Sequence, residues 1–141
     1  MDDDIIDEQI MNSVINEVRA LIKTHKLPNV VQMVGFEYND ESVFIMMDMI
    51  KGGSLDQLLE SYRSWKKIKT CSAALETEEN QPNFKILIAE LVLAVFNLHK
   101  IGIAHGDISE VNIMLDESGH LQLIDFGESS FNITPSPKIS Q

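Results

Sequence analysis

Three oxygen-bearing side chains with informative spacing lie late in the chain. Asp107 and Asn112 are five residues apart, and Asp125 follows Asn112 by thirteen residues. The stretch 113–124 between them consists of an apolar run, a polar turn with Gly and a second apolar run, which predicts a β-hairpin. The hairpin would return Asp125 to the loop that holds Asn112. Two carboxylates and one amide oxygen would then face one cleft and suit Mg²⁺ carrying a nucleotide phosphate.

In order and spacing, these residues resemble the catalytic core of the eukaryotic protein kinase family, whose pattern is H-R-D-x-x-x-x-N followed by D-F-G. The stretch here begins His105-Gly106-Asp107 and ends Asp125-Phe126-Gly127. The resemblance implies that Asp107 is the catalytic base and that Asn112 and Asp125 bind the metal. It also implies that His105 is a structural pin near the D-F-G turn. The alternative is an acidic β-hairpin with polar turns.

Composition limits the classes of partner. The 141 residues carry a net charge of −11, which argues against a nucleic-acid backbone as partner. A hydrophobic content of 44% predicts one modest globular domain. Cys71 is the single Cys, so we expect no intramolecular disulfide and an intracellular protein, cytoplasmic or nuclear. No apolar run approaches the length of a membrane span. Oligomeric state is left open.

The first third of the chain predicts one helix and one hairpin. Apolar residues at helical spacing predict a helix from about residue 5 to 25, which ends before Pro28. Glu17 lies on this helix, and by resemblance it is the Glu of the kinase αC helix; on residue type alone it is a solvated helix Glu. The runs 30–38 and 43–50 predict two strands joined by a polar turn.

The resemblance also implies a nucleotide site. In the kinase reading, the two strands are the fourth and fifth of the domain, and Met47 is the gatekeeper behind the adenine. Asp48 and Ile50 lie in the hinge, whose backbone groups bond the adenine edge. Met114, on the first strand of the later hairpin, and Ser109 also belong to the site. A Met-rich run is otherwise ordinary core.

The middle of the chain predicts two helices and a break. Ser54 with Gln57 predicts the capped start of a short helix. Residues 64–82 lose periodicity, so we expect a loop or insertion, with a free thiol at Cys71. Residues 83–100 are apolar nearly all round, which predicts a buried helix similar to the kinase αE. Residues 132–141 predict a disordered tail.

The expected architecture is an α+β, protein kinase-like domain over residues 8–131 that is partial. No Gly-x-Gly-x-x-Gly loop and no Val-Ala-Ile-Lys strand are present in the sequence, so Glu17 has no Lys of that kind as partner. Ser109 stands where Ser/Thr kinases carry a Lys that touches the transferred phosphate. Gly106 stands where they carry an Arg that docks a phosphorylated activation loop. We therefore expect an incomplete chain, or a degenerate one that needs a partner.

Three functions stay open at this point. The first is transfer of a phosphoryl group from Mg-ATP to Ser/Thr hydroxyls of a protein substrate, incomplete or weak in this chain alone. The second is a pseudokinase that acts as a binding or scaffold module for a partner protein, with Gly106 and Ser109 as its support. The third is an interaction protein that keeps only a kinase-like hairpin. Binding of ATP and Mg²⁺ separates the first from the third, and phosphate transfer separates the first from the second.

Overall fold

The computed structural model describes residues 2–39, 42–71 and 83–133, with side chains for 10–39, 42–64 and 83–133. Within these ranges the predicted α+β class is confirmed by helices that alternate with short antiparallel strands. The helices are α1 (Asp2–Lys23), α2 (Leu55–Cys71) and α3 (Phe84–Lys100), and a 3₁₀ turn covers Glu110–Asn112. The strands are β1 (Met33–Tyr38), β2 (Val43–Met47), β3 (Ile103–Ala104), β4 (Ile113–Leu115), β5 (Leu121–Leu123) and β6 (Ser130–Phe131).

Three antiparallel pairs form the sheets of the described part. β1 pairs with β2 and β4 pairs with β5, so both predicted hairpins are confirmed, although the first pair is shorter than the runs 30–38 and 43–50. β3 pairs with β6, which brings the strand before His105 beside the segment that follows Gly127. Among the described helices, none has the length and apolar character needed to cross a bilayer.

Backbone hydrogen bonds attach the first half of the chain to the second hairpin. The N–H of Val31 donates to the carbonyl of Leu123, and the N–H of Leu123 donates to the carbonyl of Asn29, both at 2.9 Å. On the other strand, the N–H of Gly52 donates to Leu115, and the N–H of Leu115 donates to Gly53. The segments before β1 and after β2 therefore both rest on the hairpin that leads to Asp125.

One hydrophobic core lies between α1, α3 and the second hairpin. Its buried apolar side chains come from all three elements and from the strands between them. They are Ala20, Leu21, Val30, Val31, Leu87, Ala94, Leu98, Ile103, Ile113, Leu115, Leu121, Leu123 and Phe126. Because Ala20 and Leu21 belong to this core, the C-terminal end of α1 is anchored in the same core as the hairpin.

Two expectations about the helices are wrong. The loop expected over 64–82 is wrong for its first part, because α2 continues to Cys71. No Gly or Pro interrupts residues 55–71, and Trp65 and Ile68 extend the apolar stripe at three-residue spacing. Residues 72–82 lie outside the described residues, as does most of the expected tail. Of that tail, Asn132 and Ile133 are described, and the N–H of Ile133 donates to the carbonyl of Gly102.

The second wrong expectation concerns α3, which is buried along one side only. Leu87, Ala94 and Leu98 face the core. The opposite side is apolar yet exposed in the described part, with Ile86, Ile88, Val92, Leu93 and Phe96 each about half or more exposed. The sequence shows that a helix is apolar all round, but it does not show which neighbour covers each side.

Candidate active site

The loop 105–112 holds Asp107 and Asn112 in direct contact. The side-chain nitrogen of Asn112 donates to Asp107 Oδ2 at 2.8 Å and to the Asp107 carbonyl at 3.0 Å. Asn112 is buried, whereas Asp107 is exposed. Both bonds use the amide nitrogen, so the amide oxygen is the Asn112 atom that can bind a metal. The contact fixes one carboxylate oxygen of Asp107, and the residue remains exposed to solvent.

His105 joins this loop to the segment that carries Asp125. Its Nε2 donates to the Ile124 carbonyl at 3.0 Å, and its Nδ1 accepts the N–H of Asp107 at 3.3 Å. Its ring lies 4.6 Å from the ring of Phe126, between centroids. Burial lowers the pKa of His105, against the raising effects of the Ile124 carbonyl and of the Asp125 and Asp107 charges. A neutral, buried ring fits the structural role expected for this His.

Asp125 has a backbone conformation that is uncommon for a residue with a side chain. Its φ is 61°, in the left-handed region, and its Oδ1 accepts the N–H of Gly127 at 3.2 Å. Asp tolerates this region better than most residues, because its short carboxylate bonds nearby backbone. The carboxylate is exposed, and its charge acts on both His105 and Glu17. Conformations of this kind occur preferentially at functional sites.

A cavity of about 210 Å³ lies beside Asp125 and is called the Glu17 cavity below. It is lined by the predicted residues Glu17, Met47, Asp48, Ile50, Met114 and Asp125, together with Val31 and Ile124. They come from α1, from the segment before β1, from the end of β2 and the segment after it, from β4, and from the segment after β5. The structure therefore brings together six residues that were assigned to the nucleotide or metal site from the sequence.

Glu17 faces a negative charge in this cavity. Its pKa is raised, first by burial and then by the charge of Asp125. The ion pairs found among described side chains are Lys51–Glu117 and His120–Glu90, and neither involves Glu17. Two neighbouring carboxylates without a cation favour the uptake of a positively charged ligand, or protonation of one of them.

Ser109 is the predicted nucleotide-site residue that does not line the cavity, and Asp107 and Asn112 lie outside its lining as well. It precedes the 3₁₀ turn, and its carbonyl accepts the N–H of Asn112 at 3.1 Å. Its Oγ is buried and has no hydrogen-bond partner among the described residues. The position therefore supplies neither a cation nor an exposed hydroxyl to the Glu17 cavity.

The sequence did not predict two contacts between α1 and the segment after Asp125, which are made by Ser13 and Phe131. An added Cβ on Gly127 would lie 2.5 Å from the Oγ of Ser13, so α1 packs directly on the turn after Asp125. Phe131 lies under two cations of α1, Arg19 and Lys23. Ser13 lies one helical turn before Glu17, on the same face of α1, and this spacing was the one signal available in the sequence.

Metal binding here would rest on a mixed set of ligands. Within the described side chains, no group of three or more His, Cys, Asp and Glu residues is arranged to hold a metal ion. The candidate set consists of the Asp125 carboxylate and the Asn112 amide oxygen. These are hard oxygen ligands of the type that Mg²⁺ takes together with phosphate oxygens.

Comparison with known proteins shows similarity to one family. The family model described as "Protein kinase domain" matches residues 1–139. A probable serine/threonine-protein kinase of Dictyostelium discoideum is 27% identical over 89% of this chain and 24% of its own length. Citron rho-interacting kinase of Rattus norvegicus is 30% identical over 84% of this chain, and mitogen-activated protein kinase kinase kinase 3 of Arabidopsis thaliana is 31% identical over 82%. The chain spans 5% and 16% of those two relatives, so it matches a small part of each.

Proposed function

Because this chain belongs to the protein kinase domain family, we propose that it binds Mg-ATP and transfers the terminal phosphoryl group to Ser or Thr hydroxyls of a protein. The observation that carries this proposal is the convergence of Glu17, the hinge residues and Asp125 on one cavity, beside the Asp107–Asn112 pair. Glu17, Asp107, Asn112 and Asp125 match the residue types that the family uses at these positions, whereas Gly106 and Ser109 depart from them.

The apolar lining of the Glu17 cavity suits the adenine ring. Met47 and Met114 supply polarisable side chains to this lining. Ile50, Val31 and Ile124 supply branched apolar side chains. The N–H of Asp48 donates to the Gln32 carbonyl at 2.9 Å. We therefore assign the carbonyl of Asp48 and the N–H of Ile50 to the adenine edge.

The polar end of the cavity carries the carboxylates of Glu17 and Asp125, which repel phosphate. Phosphates therefore suit this end only if a cation is bound there as well. Bound between Asn112 and Asp125, Mg²⁺ would supply the positive charge that neutralises the phosphate oxygens. The N–H of Gly127 donates to Asp125 Oδ1, and Asp125 lines the cavity.

Asp107 is assigned the role of base. Asn112 fixes one of its carboxylate oxygens, and the exposed side chain can meet a substrate hydroxyl. The hydroxyl oxygen bonds to the transferred phosphorus, the hydroxyl proton passes to Asp107, and the bond to the leaving ADP breaks. Catalysis of this kind depends mostly on positioning and charge stabilisation, and Asp107 contributes the positioning.

A specific observation favours a second function, a pseudokinase or scaffold. Glu17 has the charge of Asp125 rather than a cation beside it, and Ser109 brings no ammonium group to the loop. Loss of one charge-stabilising group commonly lowers a rate by two to three orders of magnitude. In this alternative the chain binds a nucleotide or a partner protein without transferring phosphate.

The test is a thermal titration of the purified chain with ATP and Mg²⁺. Ligand that binds the folded state raises the unfolding midpoint in proportion to RT ln(1 + [L]/Kd). We expect a rise in the parent and in Asp107→Asn, and no rise in Asp125→Asn. A phosphate-transfer assay on Ser/Thr peptides should then show a loss of at least about a hundredfold in Asp107→Asn.

Each outcome selects one function. Binding with transfer that depends on Asp107 supports the kinase. Binding without transfer in the parent supports the pseudokinase. A cooperative melt that neither ATP nor Mg²⁺ moves contradicts nucleotide binding and leaves the scaffold function.

A further inference from the structure

We propose that Phe131, held beneath Arg19 and Lys23, is a positioning residue that sets the orientation of α1 and so places Glu17 in its cavity. The proposal rests on the function proposed above, because it concerns the same cavity. The three side chains are called the Phe131 clamp.

The clamp is a double cation–π contact. The guanidinium carbon of Arg19 lies 4.4 Å from the centre of the Phe131 ring, and the ammonium nitrogen of Lys23 lies 5.2 Å from it. Both distances are within the range of about 6 Å over which a cation is attracted to a ring face. Arg19 and Lys23 are four residues apart, so they share one face of α1.

The ring is fixed to the framework of the catalytic loop. Phe131 lies on β6 and is paired with the fully buried Ile103 on β3, two residues before His105. The N–H of Ile133 donates to the Gly102 carbonyl next to this pair. A contact made to Phe131 is therefore also a contact to the strand that enters the loop 105–112.

Glu17 lies between the two places where α1 meets the segment after Asp125. Ser13 packs on Gly127 on one side, and the clamp grips Phe131 on the other. The core holds α1 through Ala20 and Leu21, both near its C-terminal end. Side chains project outward from the helix axis, about 100° apart from one residue to the next. A rotation of α1 about this axis would therefore swing Glu17 away from Asp125. Two contacts on either side of Glu17 prevent such a rotation.

The first test measures the position of α1 without a nucleotide. In a Cys71→Ser background, spin labels at the exposed positions Asn12→Cys and Ser118→Cys report the distance from α1 to the second hairpin. We expect a narrow distribution in the parent and in Phe131→Tyr, and a broadened or shifted one in Phe131→Leu. Arg19→Gln with Lys23→Gln, two exposed positions that leave the core intact, should reproduce the effect of Phe131→Leu. Phe96→Leu, the same change at an exposed Phe on α3, should leave the distribution unchanged.

The second test asks whether this orientation serves the site. The affinity for Mg-ATP should fall about fivefold in Phe131→Leu, in line with the loss of an exposed cation–π contact, and return in Phe131→Tyr. Unchanged distances in both Phe131→Leu and the double Gln variant would overturn the clamp, since the core alone would then orient α1. Failure of the parent to bind Mg-ATP would instead contradict the proposed function, and the distance measurement would still decide whether the clamp exists.

Discussion

At the scale of single residues, Gly106 shows how the absence of a side chain sets the path of the loop 105–112. Its φ is 90°, and a Cβ added there would lie 2.1 Å from the carbonyl oxygen of Glu128 and 2.8 Å from its carbonyl carbon. These are backbone atoms, which cannot turn aside as a flexible side chain can. Replacement of the family's Arg by Gly therefore removes a charge and also lets residue 128 approach the loop more closely than a side chain would allow.

Gly106→Ala should destabilise the chain by more than a positive φ alone explains. Gly119 is the matched control, because its φ is 82° and no atom lies within 4 Å of its added Cβ. The left-handed backbone costs about 1 kcal/mol for Ala, so Gly119→Ala reports that cost alone. We expect at least about 3 kcal/mol for Gly106→Ala, since the clash adds to it. Urea unfolding measures the free energy of unfolding of both variants. Equal losses would show that the backbone of Glu128 moves away from the added Cβ without a cost in stability.

At the scale of elements, hydrophobic periodicity predicted α1, both hairpins and the start of α3. It failed at the end of α2, where polar residues outnumber apolar ones in the sequence 64–71. It also failed for the exposed side of α3, because local pattern does not identify a neighbour.

For the candidate site, the motif resemblance predicts Asp107, Asn112 and Asp125, and the resemblance of the first helix predicts Glu17; their roles in binding and catalysis stay predictions. The contact of Ser13 with Gly127 was not predictable. The two residues are 114 positions apart, and the D-F-G motif to which Gly127 belongs does not indicate which part of α1 packs on it.

The hairpin turn is attached to α3 through a pair that depends on pH. His120 Nδ1 lies 2.5 Å from Glu90 Oε1, and Glu90 Oε2 accepts the N–H of Leu121 at 2.8 Å. The hydrogen bond and charge of Glu90 raise the pKa of His120 above its ordinary 6.5. Protonated His120 is therefore favoured in the folded chain. The stability it contributes is fully present below pH 6.5 and is lost as the pH rises through the folded pKa.

His120→Gln should remove this dependence. The pKa of His105 is shifted the other way, so its effect on stability also has the opposite sign, and the difference between parent and variant isolates His120. We expect the parent to be more stable than the variant at pH 6 and the gap to shrink as the pH rises through the folded pKa of His120, measured by urea unfolding. Glu90→Gln is the matched control, because it keeps a side-chain acceptor for Leu121 but removes the charge, and it should show the same reduced slope. A gap that stays constant with pH would mean that His120 contributes packing only.

At the scale of the whole molecule, two surface properties oppose each other. The net charge of −11 makes copies of the chain repel one another. The exposed side of α3 attracts apolar surface, and contiguous apolar patches of this kind cause association. Salt screens the charge repulsion but does not weaken the attraction between apolar surfaces, so association should increase with ionic strength.

Ile88→Lys combined with Phe96→Lys should reduce this association without unfolding the chain. Both side chains are more than 60% exposed, so a Lys at either position keeps its charge in water. We expect weaker binding of a hydrophobic dye and less salt-induced self-association by light scattering, with the free energy of unfolding changed by less than about 0.5 kcal/mol. Leu98→Ala, on the buried side of the same helix, should show the reverse pattern, with a loss of about 2–5 kcal/mol in stability. If the double Lys variant still bound the dye as the parent does, the apolar patch would lie elsewhere on the chain. A large loss in the free energy of unfolding would show that this side of α3 is covered in solution.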